Sequence, residues 1–184
     1  MVFDNSTLRE IGFSARQASI ELSKTSGQLR NLALIRIADA LLDRKDEIID
    51  ANSFDIDAAK SKNLSEALID RLILNSERID QISMDVRNVA NLDDPIGFME
   101  NMRILSNGLQ VSRRRVPLGV IGAIFESRPN VIVDISVLCL KSGNSVILRG
   151  GSEAINSNSK IFQVLREAIS GSGIPSGALQ FVES

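Results

Sequence analysis

Histidine is absent from the 184-residue sequence, and cysteine occurs only once, at Cys139. The absence of imidazole excludes Ser-His and Cys-His nucleophile pairs, and it removes the usual ligand of zinc. A single cysteine excludes an intramolecular disulfide and a metal site built from several cysteines. We therefore expect no metal centre. We interpret Cys139 as a buried structural thiol, because it lies among apolar residues on a predicted helix.

A strong charge of either sign and a long apolar run are also lacking. The 21 basic and 23 acidic residues leave a net charge of -2, which favours neither nucleic acid nor an anionic membrane as a partner. The one dense basic cluster, residues 113–115, is interpreted as a solvated strand or loop. No segment has the pattern of a targeting signal or the length of a membrane helix. We expect a soluble, cytoplasmic protein.

Residues 1–100 are predicted to be mostly helical. Apolar residues recur at three- and four-residue steps between residues 29 and 41, which is typical of a helix with one buried face. Further helices are predicted at about residues 6–24 and 46–60, with a shorter one within residues 64–74. A last helix is predicted to have Ser76 as its N-cap and to end before Pro95, because a residue that precedes proline disfavours the helical conformation.

The second half of the chain is predicted to contain strands. Residues 101–115 have the pattern of a β-hairpin, because Asn107 and Gly108 lie between two extended segments. In residues 116–184, strands predicted at 119–125, 145–149 and 177–182 alternate with two helices, and this order indicates a parallel sheet with right-handed connections. The predicted fold class is therefore α/β, with amino-terminal helices followed by a Rossmann-like parallel βαβαβ sheet.

Polar residues follow the first predicted strand of this sheet, in the segment "ESRPNV". Ligands of such sheets bind beyond the carboxyl ends of the strands. Arg128 offers a fork of donors for a carboxylate or a phosphate, and Asn130 can donate to a developing oxyanion. The alternative is an ordinary helix start, in which the proline and the asparagine act as stop and cap.

The second strand ends in the segment "SVILRGGSEA". Arg149 leaves the strand, two glycines allow the backbone to turn tightly and to approach a ligand, and Ser152 and Glu153 begin the next helix. These groups suit a phosphate or a ribose. The alternative is an ordinary strand-to-helix turn with Ser152 as the cap. The G-x-G-x-x-G and P-loop patterns are absent from the sequence, so neither standard nucleotide fingerprint supports the site.

Residues 116–154, "VPLGVIGAIFESRPNVIVDISVLCLKSGNSVILRGGSEA", resemble the signature region of the γ-glutamyl phosphate reductases. These enzymes, also called glutamate-5-semialdehyde dehydrogenases, belong to the aldehyde dehydrogenase superfamily. The flanking segments "DRLILNSERI", "LDDPIG" and "SGIPSGALQFVE" agree with the same family. The resemblance implies an aldehyde dehydrogenase-like fold and the NADPH-dependent reduction of γ-glutamyl phosphate to glutamate 5-semialdehyde in proline biosynthesis.

The resemblance also implies roles for the two strand-end segments. In the superfamily, a lysine at the end of the second strand and a glutamate a few residues later hold the adenosine ribose, and the resemblance puts Arg149 and Glu153 in those places here. An arginine beside the ribose suits the 2′-phosphate of NADPH. The cofactor-binding residues implied are Arg149, Gly150, Gly151, Ser152 and Glu153. Those implied for the acyl phosphate of the substrate are Ser127, Arg128 and Asn130.

The catalytic cysteine of the family lies in a second domain that follows the nucleotide-binding part, and Cys139 does not occupy its position. The chain therefore resembles the amino-terminal, nucleotide-binding part without the nucleophile, and alone it is expected to be inactive. The resemblance further implies a homo-oligomer, with the hairpin as a contact element, and a functional association with glutamate 5-kinase. Two alternatives remain: a catalytically silent nucleotide-binding or regulatory module, and a phosphate-binding α/β domain unrelated to dehydrogenases.

Overall fold

Helices form the first half of the protein, whose structure, a computed structural model, describes residues 5–183. They are α1 (Asn5–Leu22), α2 (Gly27–Asp43), α3 (Lys45–Ser61), α4 (Glu66–Leu72) and α5 (Ser76–Asn91). The predicted apolar face of α2 is confirmed for Ala33, Ile37 and Leu41, which are buried in the main core, whereas Leu32 is 48% exposed. Helix α2 packs against α5 on one side and against a later helix, α7, on another. None of the helices in this described range is long and apolar enough to cross a membrane.

A parallel three-stranded sheet follows the helices. Its strands β3 (Val120–Ile124), β4 (Ser145–Arg149) and β5 (Leu179–Phe181) pair in chain order. Helix α6 (Asn130–Lys141) connects β3 to β4, and α7 (Ile155–Ile169) connects β4 to β5. Because such connections are right-handed and the strands follow one another in order, α6 and α7 cover the same face of the sheet. The predicted α/β fold class is thereby confirmed.

The opposite face of the sheet packs only in part against α1. Strand β4 is the most enclosed, with Val146 and Leu148 fully buried. Ile124, at the end of β3, is 78% exposed, and it lies with Leu8 and Ile147 in a shallow apolar groove of about 320 Å³. This groove leads to the edge of the sheet at which β3 and β4 end.

The predicted hairpin is present as a separate two-stranded sheet. Strands β1 (Met99–Ile104) and β2 (Gln110–Arg114) pair antiparallel with each other and with no strand of the parallel sheet. Gly108 adopts φ +83°, a conformation that glycine reaches without strain. Apolar side chains on the hairpin face outward, and Met102 and Ile104 are 66% and 69% exposed.

Two sequence predictions about helix starts are wrong. Helix α5 is capped by Asn75, whose side-chain oxygen accepts a hydrogen bond from Arg78 N at 2.8 Å, while Ser76 is the first residue of the helix. After β4, residues Ser152–Ala154 form a turn of 3₁₀-helix, and α7 begins only at Ile155. Both helices exist where expected, but their capping contacts differ from those that the local pattern suggested.

Candidate functional site

The two strand-end segments singled out in the sequence lie side by side. Strands β3 and β4 are parallel, and Ile124, the last residue of β3, lies opposite Arg149, the last residue of β4. Phe125 N donates a hydrogen bond to Arg149 O at 3.1 Å, which continues the pairing into the loops. The loop at 125–129 and the loop at 150–154 therefore meet at the carboxyl edge of the sheet, as ligand sites of such sheets require.

A carboxylate joins the two loops. Glu153 Oε1 accepts hydrogen bonds from the backbone nitrogen and from the hydroxyl of Ser127, each at 2.8 Å. Burial disfavours the ionised form of Glu153. The hydrogen bonds from its own backbone amide and from Ser127 outweigh this effect and lower the pKa of the carboxyl group. Glu153 is therefore an anion that holds the neighbouring loop, and one of its oxygens faces Ser127 and not open solvent.

Ser127 has a strained backbone. Its φ is +41°, in the left-handed region that residues with a side chain seldom adopt. Arg128 N donates to Glu126 O at 2.5 Å, which closes a three-residue turn around Ser127. Strain of this kind persists only where surrounding contacts hold it, and the two hydrogen bonds to Glu153 are such contacts. The turn leaves the Arg128 side chain exposed at the edge of the sheet.

The two glycines after Arg149 lie in close contact with neighbouring side chains. A Cβ atom at Gly150 would overlap with the Asn158 side chain, and one at Gly151 would overlap with the Glu153 carboxylate. The absence of side chains here leaves a backbone that a ligand can approach. Arg149 is exposed and forms no ion pair with any residue from 5 to 183. A bare backbone beside an uncommitted guanidinium group can accommodate a ligand that carries a phosphate.

The amino terminus of α7 is already occupied by a carboxylate of the protein. Asp55, on α3, accepts hydrogen bonds from Asn156 N at 3.2 Å and from Ser157 N at 2.8 Å, and from both of their side chains. The alternative in which Ser152 caps the helix is therefore wrong, because no side chain at the start of the 3₁₀ turn makes a capping hydrogen bond. The amides of Asn156 and Ser157 are therefore already paired and do not face a phosphate.

Asn130 lies in the first turn of α6, where its Nδ2 donates to Asp134 Oδ2 at 3.0 Å. The alternative in which Asn130 caps this helix is wrong, since Pro129 holds the N-cap position and no side-chain cap is formed. Burial is the main cause that raises the pKa of Asp134. The hydrogen bond from Asn130 opposes the rise, and the nearby charge of Asp85 adds to it. Asn130 and Arg128 both line a groove of about 340 Å³ between α6 and the helices α4 and α5.

Cys139 is a buried thiol, as predicted. It is 5% exposed, and burial raises the pKa of its thiol to about 11. At neutral pH the thiol is protonated and lacks the thiolate character of a nucleophile. In the described part of the chain, no group of three or more potential metal-ligating side chains lies together.

Sequence reasoning missed the buried polar residues that position the site. Asn52 and Asp55 lie on the buried face of α3 together with Ile48 and Ala59. Asn52 Nδ2 donates to Leu72 O at 2.8 Å, and its Oδ1 accepts from Leu74 N at 2.8 Å. The sequence held one signal for these residues, since they occupy the spacing of an apolar stripe that otherwise contains no polar group.

Asn158 was also missed. It is 1% exposed, and both polar atoms of its side chain lack a hydrogen-bond partner among the described residues. An unpaired buried amide costs free energy. The Asn158 side chain packs against Gly150, where a Cβ atom would overlap with it.

Comparisons with known proteins show which family the chain belongs to. The sequence profile of the aldehyde dehydrogenase family matches residues 4–184. Gamma-glutamyl phosphate reductase of Tolumonas auensis is 47% identical over 178 residues, which are 97% of this chain and 42% of the relative. The chain thus spans less than half the length of the curated relatives that it matches.

Solved structures give the same result. Gamma-glutamyl phosphate reductase of Thermotoga maritima superposes with a TM-score of 0.92 at 41% identity, over 96% of this chain and 43% of that one. The enzyme of the same name from Saccharomyces cerevisiae superposes with a TM-score of 0.91 at 34% identity, over 100% of this chain and 47% of that one. The resemblance predicted from residues 116–154 is confirmed, as is the aldehyde dehydrogenase-like fold.

Proposed function

The chain belongs to the aldehyde dehydrogenase family, and from this membership we propose that it forms the nucleotide-binding part of a γ-glutamyl phosphate reductase. The proposed reaction is the NADPH-dependent reduction of γ-glutamyl phosphate to glutamate 5-semialdehyde, in proline biosynthesis. The observation that carries the proposal is the junction of the two strand-end loops through Glu153 and Ser127. It brings an uncommitted arginine and a bare backbone next to the groups implied for the acyl phosphate.

We assign NADPH to the loop after β4. Arg149 would receive the 2′-phosphate of the adenosine ribose, since a guanidinium group suits a phosphate dianion. Gly150 and Gly151 would let the ribose approach the backbone, and the exposed Ser152 hydroxyl can donate to it. Glu153 would accept from a ribose hydroxyl through the oxygen that Ser127 does not use. When bound, NADPH supplies the hydride for the reduction.

We assign the acyl phosphate to the loop after β3. Arg128 is exposed and would neutralise the phosphate, and the Asn130 amide would donate to the carbonyl oxygen as negative charge develops on it. Ser127 would act by holding this loop in its strained turn, because its amide and its hydroxyl both donate to Glu153. These three residues bind and orient the substrate.

None of the residues assigned to the cofactor or to the acyl phosphate is the nucleophile of the proposed reaction. Cys139 is buried and protonated, and it lies on α6 away from the strand-end loops. We therefore propose that the chain alone binds the cofactor without turning over substrate. Its location in the cytoplasm and its association with glutamate 5-kinase stay predictions of the resemblance.

We further propose that the hairpin of β1 and β2 contacts a second copy of the chain. The hairpin pairs with no other strand in the described chain, and Met99, Met102, Ile104 and Leu109 on it are each more than half exposed. Exposed apolar side chains on a projecting hairpin are stabilised when a partner covers them. Substitution of Ile104 with lysine is expected to shift the protein to monomers in analytical ultracentrifugation. An unchanged sedimentation coefficient would contradict this contact.

The cofactor assignment is tested by titration of the chain with NADPH and with NADH, followed by the fluorescence of the nicotinamide. We expect saturable binding of NADPH, weaker binding of NADH, and a loss of the difference in Arg149→Ala. The matched control is Arg36→Ala, which removes an exposed arginine from α2. Absence of saturation, or equal affinities in the wild-type chain, would contradict the proposal.

A further inference from the structure

Asn158, on α7, has a buried side-chain amide without a partner. The side chain is 1% exposed, and neither Oδ1 nor Nδ2 forms a hydrogen bond within residues 5–183. Buried polar side chains are nearly always paired, because an unpaired one costs free energy in the fold. A leucine has a similar shape and would avoid this cost. Core packing alone therefore does not account for an amide at position 158.

Asn52 shows the contrast with a buried asparagine that holds the fold together. Its Nδ2 donates to Leu72 O at 2.8 Å and to Ser157 Oγ at 2.9 Å. Its Oδ1 accepts from Leu74 N at 2.8 Å. Both polar atoms of Asn52 thus join parts of the protein that are distant in sequence, whereas those of Asn158 join nothing.

The unpaired amide lies against the loop after β4. A Cβ atom at Gly150 would overlap with Asn158 Nδ2, and it would lie 3.3 Å from the Phe125 ring. The Asn158 amide is therefore in contact with the backbone at Gly150, and a side chain at that position would push the amide away.

The backbone of this loop has donors that are also without partners. Gly150 is buried, yet the N–H groups of Gly150 and Gly151 donate to no carbonyl oxygen of the described residues. A buried N–H group without an acceptor costs free energy in the same way as a buried amide. The Asn158 Oδ1 atom is an acceptor, so the side chain and the loop each have the group that the other lacks.

The helix that carries Asn158 is fixed in place at this point. Asp55 accepts hydrogen bonds from Ser157 N at 2.8 Å and from Ser157 Oγ at 2.6 Å. The turn of α7 that carries Asn158 is thereby held against α3. A pairing between Asn158 and the loop is therefore reached by a small shift of the loop backbone and not of the helix.

We propose that Asn158 is a positioning residue for the nucleotide. When NADPH binds to the loop after β4, the loop backbone moves against Asn158, and Oδ1 accepts a hydrogen bond from the N–H of Gly150 or Gly151. The cost of the unpaired groups is present in the chain without nucleotide and is removed in the complex, so it favours binding. Asn158 acts through the two glycines without touching the nucleotide. This inference rests on the proposed function, because it takes NADPH and its site from it.

The substitution Asn158→Leu separates this role from a structural one. Without nucleotide, the variant is expected to have a higher urea midpoint than the wild type, because a buried unpaired amide is removed. It is also expected to bind NADPH about tenfold more weakly, as followed by nicotinamide fluorescence, because the loop loses its acceptor. A side chain with a purely structural role does not give these two opposite effects. The matched control is Asn52→Leu, which is expected to lower the urea midpoint because it removes three hydrogen bonds.

A second measurement uses the unaltered chain and does not depend on how a variant folds. In ¹⁵N-correlated NMR spectra, saturation with NADPH is expected to shift the side-chain amide signals of Asn158, because its amide becomes paired. The side-chain signals of Asn52 are expected to stay in place, because all of its hydrogen bonds are already formed.

The inference is overturned if Asn158→Leu lowers the urea midpoint, if this variant binds NADPH as tightly as the wild type, or if the Asn158 signals do not move at saturation. Wild-type binding that depends on Arg149 and is unchanged in Asn158→Leu refutes only the role of Asn158. A wild-type chain that does not bind NADPH refutes the proposed function, and the role of Asn158 with it.

Discussion

Removal of the Glu153 carboxylate is expected to release the strained turn at Ser127. In Glu153→Ala, the amide and the hydroxyl of Ser127 both lose their acceptor. The two hydrogen bonds share one oxygen of a half-buried carboxylate, so we expect about 1 kcal/mol from each. The turn at φ +41° costs about 1 kcal/mol and can relax once it is free. The net loss in the free energy of unfolding is then about 1 kcal/mol.

The contribution of Glu153 to the free energy of unfolding depends on pH with a defined sign. The pKa of Glu153 is lowered in the folded protein, so the stability that it contributes is fully present above the pKa of an ordinary glutamate. That stability is lost as the pH falls through the lowered value in the fold. Glu153→Ala lacks this contribution, so the difference between the two proteins is expected to shrink in acid.

Urea denaturation followed by circular dichroism measures these changes, because the chain has no tryptophan or tyrosine to serve as a fluorescent probe. Ser127→Ala and the variant that carries both substitutions complete a double-mutant cycle. We expect a coupling free energy of about 1 kcal/mol between Ser127 and Glu153. Glu126→Ala, an exposed glutamate in the same loop, is the matched control. Effects that add to within about 0.3 kcal/mol would refute the reasoning, because they would show that Glu153 does not hold Ser127.

Three further predictions concern buried groups. Asp55→Ala is expected to lower the free energy of unfolding by about 2–4 kcal/mol in urea denaturation, since it leaves the buried amide of Ser157 and the part-buried amide of Asn156 without an acceptor, while Asp57→Ala on the exposed face of α3 should have little effect. Asp94→Ala removes the carboxylate whose two oxygens accept hydrogen bonds from Nη2 of the buried Arg30. Because Asp94 is partly exposed, we expect the free energy of unfolding to fall by about 2 kcal/mol. A urea midpoint equal to that of the wild type would contradict this expectation. Cys139, with its pKa raised to about 11 by burial, is expected to react with thiol reagents at pH 8 only in urea, and stoichiometric labelling of the folded chain would contradict its burial.

Elements with a local signal could be predicted from the sequence. The periodicity between residues 29 and 41 identified α2, and the pair Asn107-Gly108 identified the hairpin, because each depends on neighbours within a few residues. The N-cap of α5 was misplaced by one residue, since Asn75 and Ser76 are both good capping residues. Local chemistry there could not choose between two adjacent candidates.

Contacts between distant residues could not be predicted. Asp55 caps α7 across 101 residues of sequence, and no local pattern indicates such a partner. Similarly, the sequence placed Glu153 at the mouth of the site but gave no sign that Ser127, 26 residues earlier, would take one of its oxygens. Both contacts depend on how the helices and strands pack, which is why the candidate residues could be found from the sequence while their partners could not.

The most direct test of the account is a crystal structure of the chain with bound NADPH. The account predicts that the 2′-phosphate contacts the Arg149 guanidinium and that the ribose lies against Gly150 and Gly151, while Asp55 still caps α7. A nucleotide bound elsewhere, or one whose phosphates displace Asp55 from the start of α7, would contradict the assignment of the loop after β4 as the cofactor site.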